Sequence, residues 1–330
     1  MPRCEICQNR KTKFFHKIDK YVYYQCPRCI TLFLHPKPTL RQITNYYKKN
    51  FKYTAGEINE KIISKRANSI LKNLNKLNPI SKTLLDVGSG YGYFLKEAQA
   101  LGLKTVGIEP SKDLSRISLY RYNDIVFNLT FAEYFNRQKN NKFDFITIIH
   151  TIEHVISPKE MIDKAVKLLN TRGILYVETP NLDSHLFNVE KYNYTFLTPP
   201  DHIWLFSQKS FRYLFHKISR IQMEKISTYS YPEHFMGIIK NLINQNRSAD
   251  IRKNQMLDNS DKSDRSDLSG LSDASGIRLS PTFRSFPNYS EMTLKNAKYY
   301  LFDRLLSPLL TPFLNLGNNG SILELYIRKK

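Results

Sequence analysis

The sequence has no uninterrupted apolar run long enough to cross a bilayer. Its most apolar stretch, residues 299–316, is broken by Asp303, Arg304, Pro308 and Pro312. No apolar segment follows Met1, so the expectation is a cytoplasmic chain without a secretory signal. Cysteine is scarce, with four in 330 residues and none after Cys29. Without an export signal, a disulfide framework is a poor account of them, because the cytosol is reducing. Acidic side chains are few beside basic ones, 29 against 50, which leaves a net charge of +21. Such a field favours anionic partners. The basic residues are nevertheless scattered, with no arginine-rich block, which argues against a nucleic-acid site. A 41% hydrophobic content over this length is enough for one large domain and a smaller one.

The four cysteines are Cys4, Cys7, Cys26 and Cys29, spaced C-x2-C-x18-C-x2-C. Each pair presents two thiolates from a tight knuckle, and two knuckles complete a tetrahedron around Zn²⁺. So short a segment buries too little apolar surface to fold well alone, so the metal supplies folding energy. All four positions are used, which predicts a closed structural zinc ribbon with no open catalytic position. The ribbon and its connector are placed at residues 1–50.

The rest of the chain is arranged around residues 83–111, TLLDVGSGYGYFLKEAQALGLKTVGIEPS. Residues 83–87 are β-branched and apolar, as in a strand covered on both faces. The chain then turns through Gly88, Gly90 and Gly92 into a helix, whose first N–H groups face whatever lies in the crevice. A second strand, 104–108, delivers Glu109 about 20 residues beyond the first glycine, where a carboxylate can accept ribose hydroxyls. A dinucleotide site spaces its glycines G-x-G-x-x-G. Here Tyr93 takes the third glycine's place and the glycines alternate instead.

Residue by residue, D-x-G-x-G-x-G and the later acid resemble motif I and the following acidic position of class I S-adenosylmethionine-dependent methyltransferases. The resemblance implies a seven-stranded, Rossmann-like α/β sheet in the order 3-2-1-4-5-7-6, with its seventh strand antiparallel, behind the zinc ribbon. It also implies that Asp86, Gly88, Ser89, Gly90 and Gly92 form the cofactor turn and that Glu109 binds the ribose. The block FDFITIIHTIEHVISPKEMIDKAVKLLNTRGILYVETPN, which begins at Phe143, extends the likeness to small-molecule methyltransferases, with Arg172 where the family has glycine. Asn128 falls where such enzymes meet the adenine amine, and His150 is read as a pocket liner. Glu153-His154 resembles a pair that holds a divalent metal in some quinone O-methyltransferases. The reading adopted is that the pair orients the pocket.

Apolar residues at helical spacing predict a helix over 57–77, packed beside the sheet and ended by Asn78-Pro79. Further strands are expected at 124–128, 142–149, 174–178, 221–230 and 321–328. Ser157, Pro158 and Glu160 predict a capped helix start. The aromatic stretch 185–206 reads as a lid over the acceptor. Within it His202 precedes the single tryptophan, Trp204, in a P-x-H-x-x-x-F-S arrangement like that on the acceptor side of such methyltransferases. His202 and His154 are the candidate catalytic residues, and an imidazole near neutral pKa can take a hydroxyl proton. Residues 51–240 are read as the core and 241–290, rich in Ser and Asp, as a disordered insertion. Residues 291–330 supply a last helix and the closing strand, and 305–316 roof the acceptor site or touch a membrane surface. The expected activity is methyl transfer to a small molecule or to an anionic, sugar-linked acceptor in surface-polysaccharide synthesis. The alternatives are an RNA base methyltransferase and a non-catalytic binding protein that retains the fold.

Overall fold

A computed structural model describes residues 1–39, 41–43, 45, 46, 60–122, 125–216, 218–231, 234, 238, 313 and 315–330. The expected insertion at 241–290, the helix at 291–306 and most of 305–316 lie outside the described residues.

Two sheets organise the molecule. The first belongs to the ribbon. Strands β1 (Lys13–Ile18), β2 (Tyr21–Cys26) and β3 (Thr31–Leu34) run antiparallel in sequence order. Its fourth strand is β9 (Trp204–Leu205), from far along the chain, with Leu32 opposite Leu205 and Phe33 opposite Trp204. The end of the expected lid is therefore part of the ribbon sheet and not a free flap.

The large sheet contains β4 (Thr83–Val87), β5 (Lys104–Ile108), β6 (Val126–Phe127), β7 (Phe143–Ile149), β8 (Leu169–Pro180), β10 (Ile221–Tyr229) and β11 (Ile322–Lys329). Across the sheet the order is β6-β5-β4-β7-β8-β11-β10, the 3-2-1-4-5-7-6 arrangement expected from sequence. β4 to β8 are parallel neighbours, and β11 inserts antiparallel between β8 and β10. The chain leaves β4 toward β5 on one side and returns to β7 on the other. That reversal opens a crevice at the carboxyl ends of β4 and β7.

Successive strand residues face opposite sides, so Leu84, Phe145 and Ile174 pack on one face and Leu85, Ile146 and Leu175 on the other. The first face is covered by α1 (Glu60–Leu77) and α2 (Tyr93–Ala100) through Ala67, Ile70, Leu71, Leu74, Phe94 and Leu95. Glu60 in the first turn of α1 and Lys76 in the last oppose the helix dipole. The second face is covered by α4 (Phe131–Gln138), α5 (Pro158–Leu168) and α7 (Gln208–His216). α3 (Lys112–Tyr122) lies between β5 and β6 in sequence, and α6 (His185–Glu190) follows β8. The ribbon's buried residues belong to this second cluster, so ribbon and core share one hydrophobic interior.

Strand boundaries depart from expectation where a residue takes an unexpected backbone conformation. β8 begins at Leu169 and not at 174, because Leu169 already pairs with Phe143; the register then shifts before Phe145 meets Ile174, and Arg172, with φ 65°, lies within the irregularity. Gly173 is needed for room, since a Cβ there would meet the carbonyl oxygens of Asn170 and Asp144 at 2.9 and 3.0 Å.

One polar group crosses the apolar face. Arg66 of α1 donates to Glu178 of β8 at 2.5 Å, to Glu324 of β11 at 2.6 Å and to the Tyr176 hydroxyl at 2.9 Å. Its guanidinium lies 4.4 Å from the Tyr229 ring centre. Burial works against the Glu178 carboxylate, but Arg66, with His150 beyond it, holds its pKa down at about 2. This pairing therefore stabilises the fold above about pH 4, the carboxylate's unfolded value. The contribution is lost as pH falls toward about 2. Arg66→Ala leaves buried Glu324 without its cation and Glu178 with His150 alone, and is expected to cost about 3–5 kcal/mol in urea unfolding at pH 7. A loss below about 1 kcal/mol would show that the cluster is solvated.

Candidate functional site

The ribbon cysteines meet as the spacing predicts. All four are buried free thiols, and their sulfurs lie within 4.8 Å of one another. Cys4 and Cys29 sulfurs are 3.5 Å apart, and those of Cys7 and Cys26 are 3.4 Å apart. A disulfide needs about 2.05 Å, whereas Zn–S bonds of about 2.3 Å in a tetrahedron place sulfurs roughly 3.8 Å apart. Gln8 and Ile30, each just after a C-x2-C pair, take φ of 64° and 57° and donate to the Cys4 and Cys26 carbonyls. The Cys29 thiol hydrogen bond draws Cys4 down to about 6, while burial pushes Cys7 up to about 11. Four thiolates cannot share so small a volume without a dication, and the residues present fit Zn²⁺.

Strand ends build the crevice. Gly88 and Ser89 donate their N–H groups to the Ile108 carbonyl at 2.8 and 3.0 Å, which fastens the glycine turn to the end of β5. Gly88, Gly90 and Gly92 have φ of 80°, 53° and 81°, the left-handed region that glycine enters freely. Among the described residues nothing lies within 4 Å of where a Gly90 Cβ would stand, so a side chain there would enter the crevice. At Gly88 the same atom would collide with the Thr151 side chain, so the start of the turn abuts the loop after β7. Gly92 caps α2. Asp86 is buried and accepts from the Thr147 hydroxyl at 2.6 Å.

Glu109, also buried, accepts the Gly90 and Ser111 N–H groups at 2.9 and 2.7 Å. Burial raises its pKa while those two donors oppose the rise. Asn128 is exposed and gives both amide hydrogens to backbone, to the carbonyls of Glu109 and Pro110 at 3.0 Å each. Its amide oxygen is thereby left as the group able to accept from an exocyclic amine. The Ser89 hydroxyl is buried with no hydrogen-bond partner among the described residues. An open glycine, an unsatisfied hydroxyl and a carboxylate held at one rim suit the polar edge of a nucleoside, and these residues fit S-adenosylmethionine.

Beyond β7 the chain forms the other half of the crevice. His150, with φ 47°, sets Nδ1 3.4 Å from Glu153 and Nε2 3.3 Å from Glu178. Burial opposes its charge, but the two carboxylates prevail and raise its pKa to about 10. Glu153 is fully buried and accepts from the Thr179 hydroxyl at 2.9 Å. Burial likewise works against a charged His154, yet Asp201 at 2.9 Å and Glu153 raise it to about 9. His202 behaves in the opposite way. Burial and the neighbouring His154 charge lower it to about 4, so its ring is neutral. Its Nδ1 pairs with the Phe196 carbonyl at 2.8 Å, which assigns the proton to Nδ1 and leaves the Nε2 lone pair available. The two imidazoles meet edge to face with centres 4.8 Å apart, and Phe196 stacks on His202 at 6.0 Å.

Asp86, Gly88, Ser89, Gly90, Gly92, Glu109 and Asn128 thus cluster at the ends of β4 to β6. His150, His154 and His202 gather beyond β7, and Thr151 joins the two groups. Sequence reasoning missed Asp201, Glu178 and Arg66. Arg66 carried a signal, since it stands on the apolar stripe between Ile63 and Ile70. It also missed Thr130, whose reciprocal hydrogen bonds with Glu133 start α4 just past Asn128 and are written in the sequence as T-x-x-E.

Residues 58–218 match a family model described as a methyltransferase domain. The mitochondrial ubiquinone biosynthesis O-methyltransferase of Dictyostelium discoideum is 25% identical over 44% of this chain and 49% of its own. The ubiquinone biosynthesis O-methyltransferase of Hydrogenovibrio crunogenus is 27% identical over 33% of this chain and 52% of its own. The chain thus spans about half the length of these curated relatives. A crystal structure of a SAM-dependent methyltransferase from Archaeoglobus fulgidus covers 87% of this chain and 98% of its own, at 13% identity and a TM-score of 0.47.

Purified protein is expected to contain one zinc per chain, and Cys26→Ser to lose it. A metal-free, folded chain with four titratable thiols would contradict the ribbon. By calorimetry, Gly90→Val should abolish S-adenosylhomocysteine binding while far-UV dichroism stays at wild type. Retained affinity would place the nucleoside elsewhere.

Proposed function

We propose that this chain, which carries a class I S-adenosylmethionine-dependent methyltransferase domain, methylates a hydroxyl oxygen on a small molecule. S-adenosylmethionine, when bound, supplies an electrophilic sulfonium methyl group. The observation that carries the oxygen assignment is His202, a neutral imidazole with Nδ1 hydrogen-bonded to a carbonyl and Nε2 left as a base. Hydroxyl oxygen is a poor nucleophile until its proton is removed, and a positioned base contributes about 10²–10⁴-fold. The relatives described as ubiquinone biosynthesis O-methyltransferases support an oxygen acceptor.

The residues divide the work. Glu109 and the Gly88–Gly92 turn hold the nucleoside, with Asn128 toward the base and Ser89 and Asp86 at the turn. His202 takes the acceptor proton through Nε2. His154, charged and tied to Asp201 and Glu153, keeps His202 neutral by repelling a second proton. His150, a cation between two carboxylates, borders the pocket and balances their charge. The rest of the rate comes from holding oxygen and methyl in line. Cys4, Cys7, Cys26 and Cys29 would hold a structural Zn²⁺, since four thiolates would leave the ion no open position for chemistry.

Sugar-linked acceptors of the kind used in surface-polysaccharide synthesis remain within this proposal, because a sugar hydroxyl needs the same base. The RNA base reading is less well supported. After β7 the chain reads His150-Thr151-Ile152-Glu153, where enzymes that methylate base nitrogens often carry Asn/Asp-Pro-Pro-aromatic.

Incubation with methyl-labelled cofactor and separate pools of catechols, nucleotide sugars, lipid-linked sugars and RNA tests the proposal. Label is expected on oxygen in a small-molecule pool, and label confined to RNA would overturn it. His202→Ala should leave S-adenosylhomocysteine affinity within about twofold and lower kcat by about 10²-fold or more. His202 is neutral above about pH 4. The acid limb of kcat/KM should therefore fall as pH drops through that value, well below the pH ~6.5 of an unperturbed imidazole.

A further inference from the structure

The stretch that carries His202 is held from two sides. Among the described residues, 202–205 form no ladder with β4 to β8 and strand β9 pairs with β3 of the ribbon, while the next residue, Phe206, bridges Asn181 just past β8 and the Trp204 indole N–H donates to the Val155 carbonyl at 2.8 Å. Three ribbon contacts fix this stretch. The Tyr23 hydroxyl of β2 donates to the His202 carbonyl at 2.6 Å. The Leu34 N–H donates to the Ile203 carbonyl at 2.9 Å, and Leu32 and Phe33 pair with Leu205 and Trp204. Just beyond, the hydroxyls of Ser207 and Ser210 donate to the carbonyl of Cys29, one of the four thiol residues, at 2.9 and 3.0 Å. From the core side, the Ile203 N–H donates to the Glu153 carbonyl at 2.9 Å.

Tyr23 is the contact nearest the imidazole. It is entirely buried, 179 residues from His202 in sequence, and its hydroxyl bonds the backbone of the residue proposed as the base. Burial and the nearby Asp201 carboxylate push its phenol well above the usual value, so it remains a donor across the working pH range. On the other side the His202 ring is held by Nδ1 to Phe196. The imidazole therefore hangs between a backbone anchor supplied by the ribbon and a ring anchor supplied by the core. Were the first anchor lost, the ring would be free to move from the second, and the Nδ1–H tautomer that leaves Nε2 as a base would no longer be fixed.

We infer that Tyr23 is a positioning residue for His202 and that the acceptor half of the site is assembled jointly by ribbon and core. The inference rests on the methyltransferase reading only for the purpose His202 serves. The geometry that places Tyr23 against it stands alone.

The test compares Tyr23→Phe with Ser207→Ala in full-length, zinc-loaded protein. Ser207→Ala also removes a ribbon–core hydrogen bond, but one that does not touch His202. Nitrogen-15 spectra at pH 7, assigned by the signals missing from His202→Ala, report the tautomer. Wild type and Ser207→Ala are expected to hold the proton on Nδ1, whereas Tyr23→Phe should show averaged tautomers. S-adenosylhomocysteine affinity should stay within about twofold in both. With an acceptor found active in the pools above, Tyr23→Phe should lower kcat about fivefold or more with little change in KM. A wild-type tautomer in Tyr23→Phe would overturn the inference, and so would equal averaging in Ser207→Ala, which would signify general loosening of the seam. If no pool is methylated by wild type, the functional reading fails while the tautomer comparison still decides the role of Tyr23.

Discussion

Two carboxylates, Glu153 and Glu178, lie beneath the crevice with almost no access to water. Ionised carboxyl groups in such surroundings persist only where cations and donors replace their hydration. The elements around the site meet this requirement together. Arg66 of α1 reaches across an apolar face to Glu178, His150 at the end of β7 stands between both carboxylates, and Thr179 of β8 donates to Glu153. The charges on these groups are mutually dependent. Removing any one alters the electrostatic surroundings of the others, and through His154 the influence extends to His202. The chemistry assigned to the crevice therefore depends on charge balance one layer below it.

Much of the fold was legible because local and global preferences agree. β4, β5 and β7 are short apolar runs bounded by turn residues, and a strand covered on both faces has no other pattern. The cysteine spacing likewise carries its geometry, because a knuckle constrains only neighbours. The turn proposed to hold the cofactor was legible as a turn from its alternating glycines, all three of which take positive φ. Legibility ended where the decisive partner is distant. β9 has two residues and no periodicity, and only the edge of β3 makes it a strand. β6 is nearly as short and marks the limit of the sheet.

The site followed the same division. His202 and His154 could be picked from a local arrangement of residue types, but what distinguishes them could not. His154 is charged because Asp201 stands beside it, and His202 is neutral because burial and the His154 charge both oppose a second proton. Arg66 sat in view on the apolar stripe of α1, yet a basic residue there reads as a tolerated exception until Glu178 and Glu324 are seen opposite. Sequence spacing identifies which groups can do chemistry, and burial decides their protonation.

The pairing of β3 with β9 also bears on how the polypeptide is made. A ribosome delivers the cysteine knuckles long before Trp204 and Leu205, so for most of synthesis the outer edge of β3 has no neighbour. Metal capture can close the knuckles early, but it cannot cover that edge. Exposed backbone donors and acceptors invite pairing with foreign strands, so the open edge of β3 is a liability of the nascent ribbon until the fourth strand emerges.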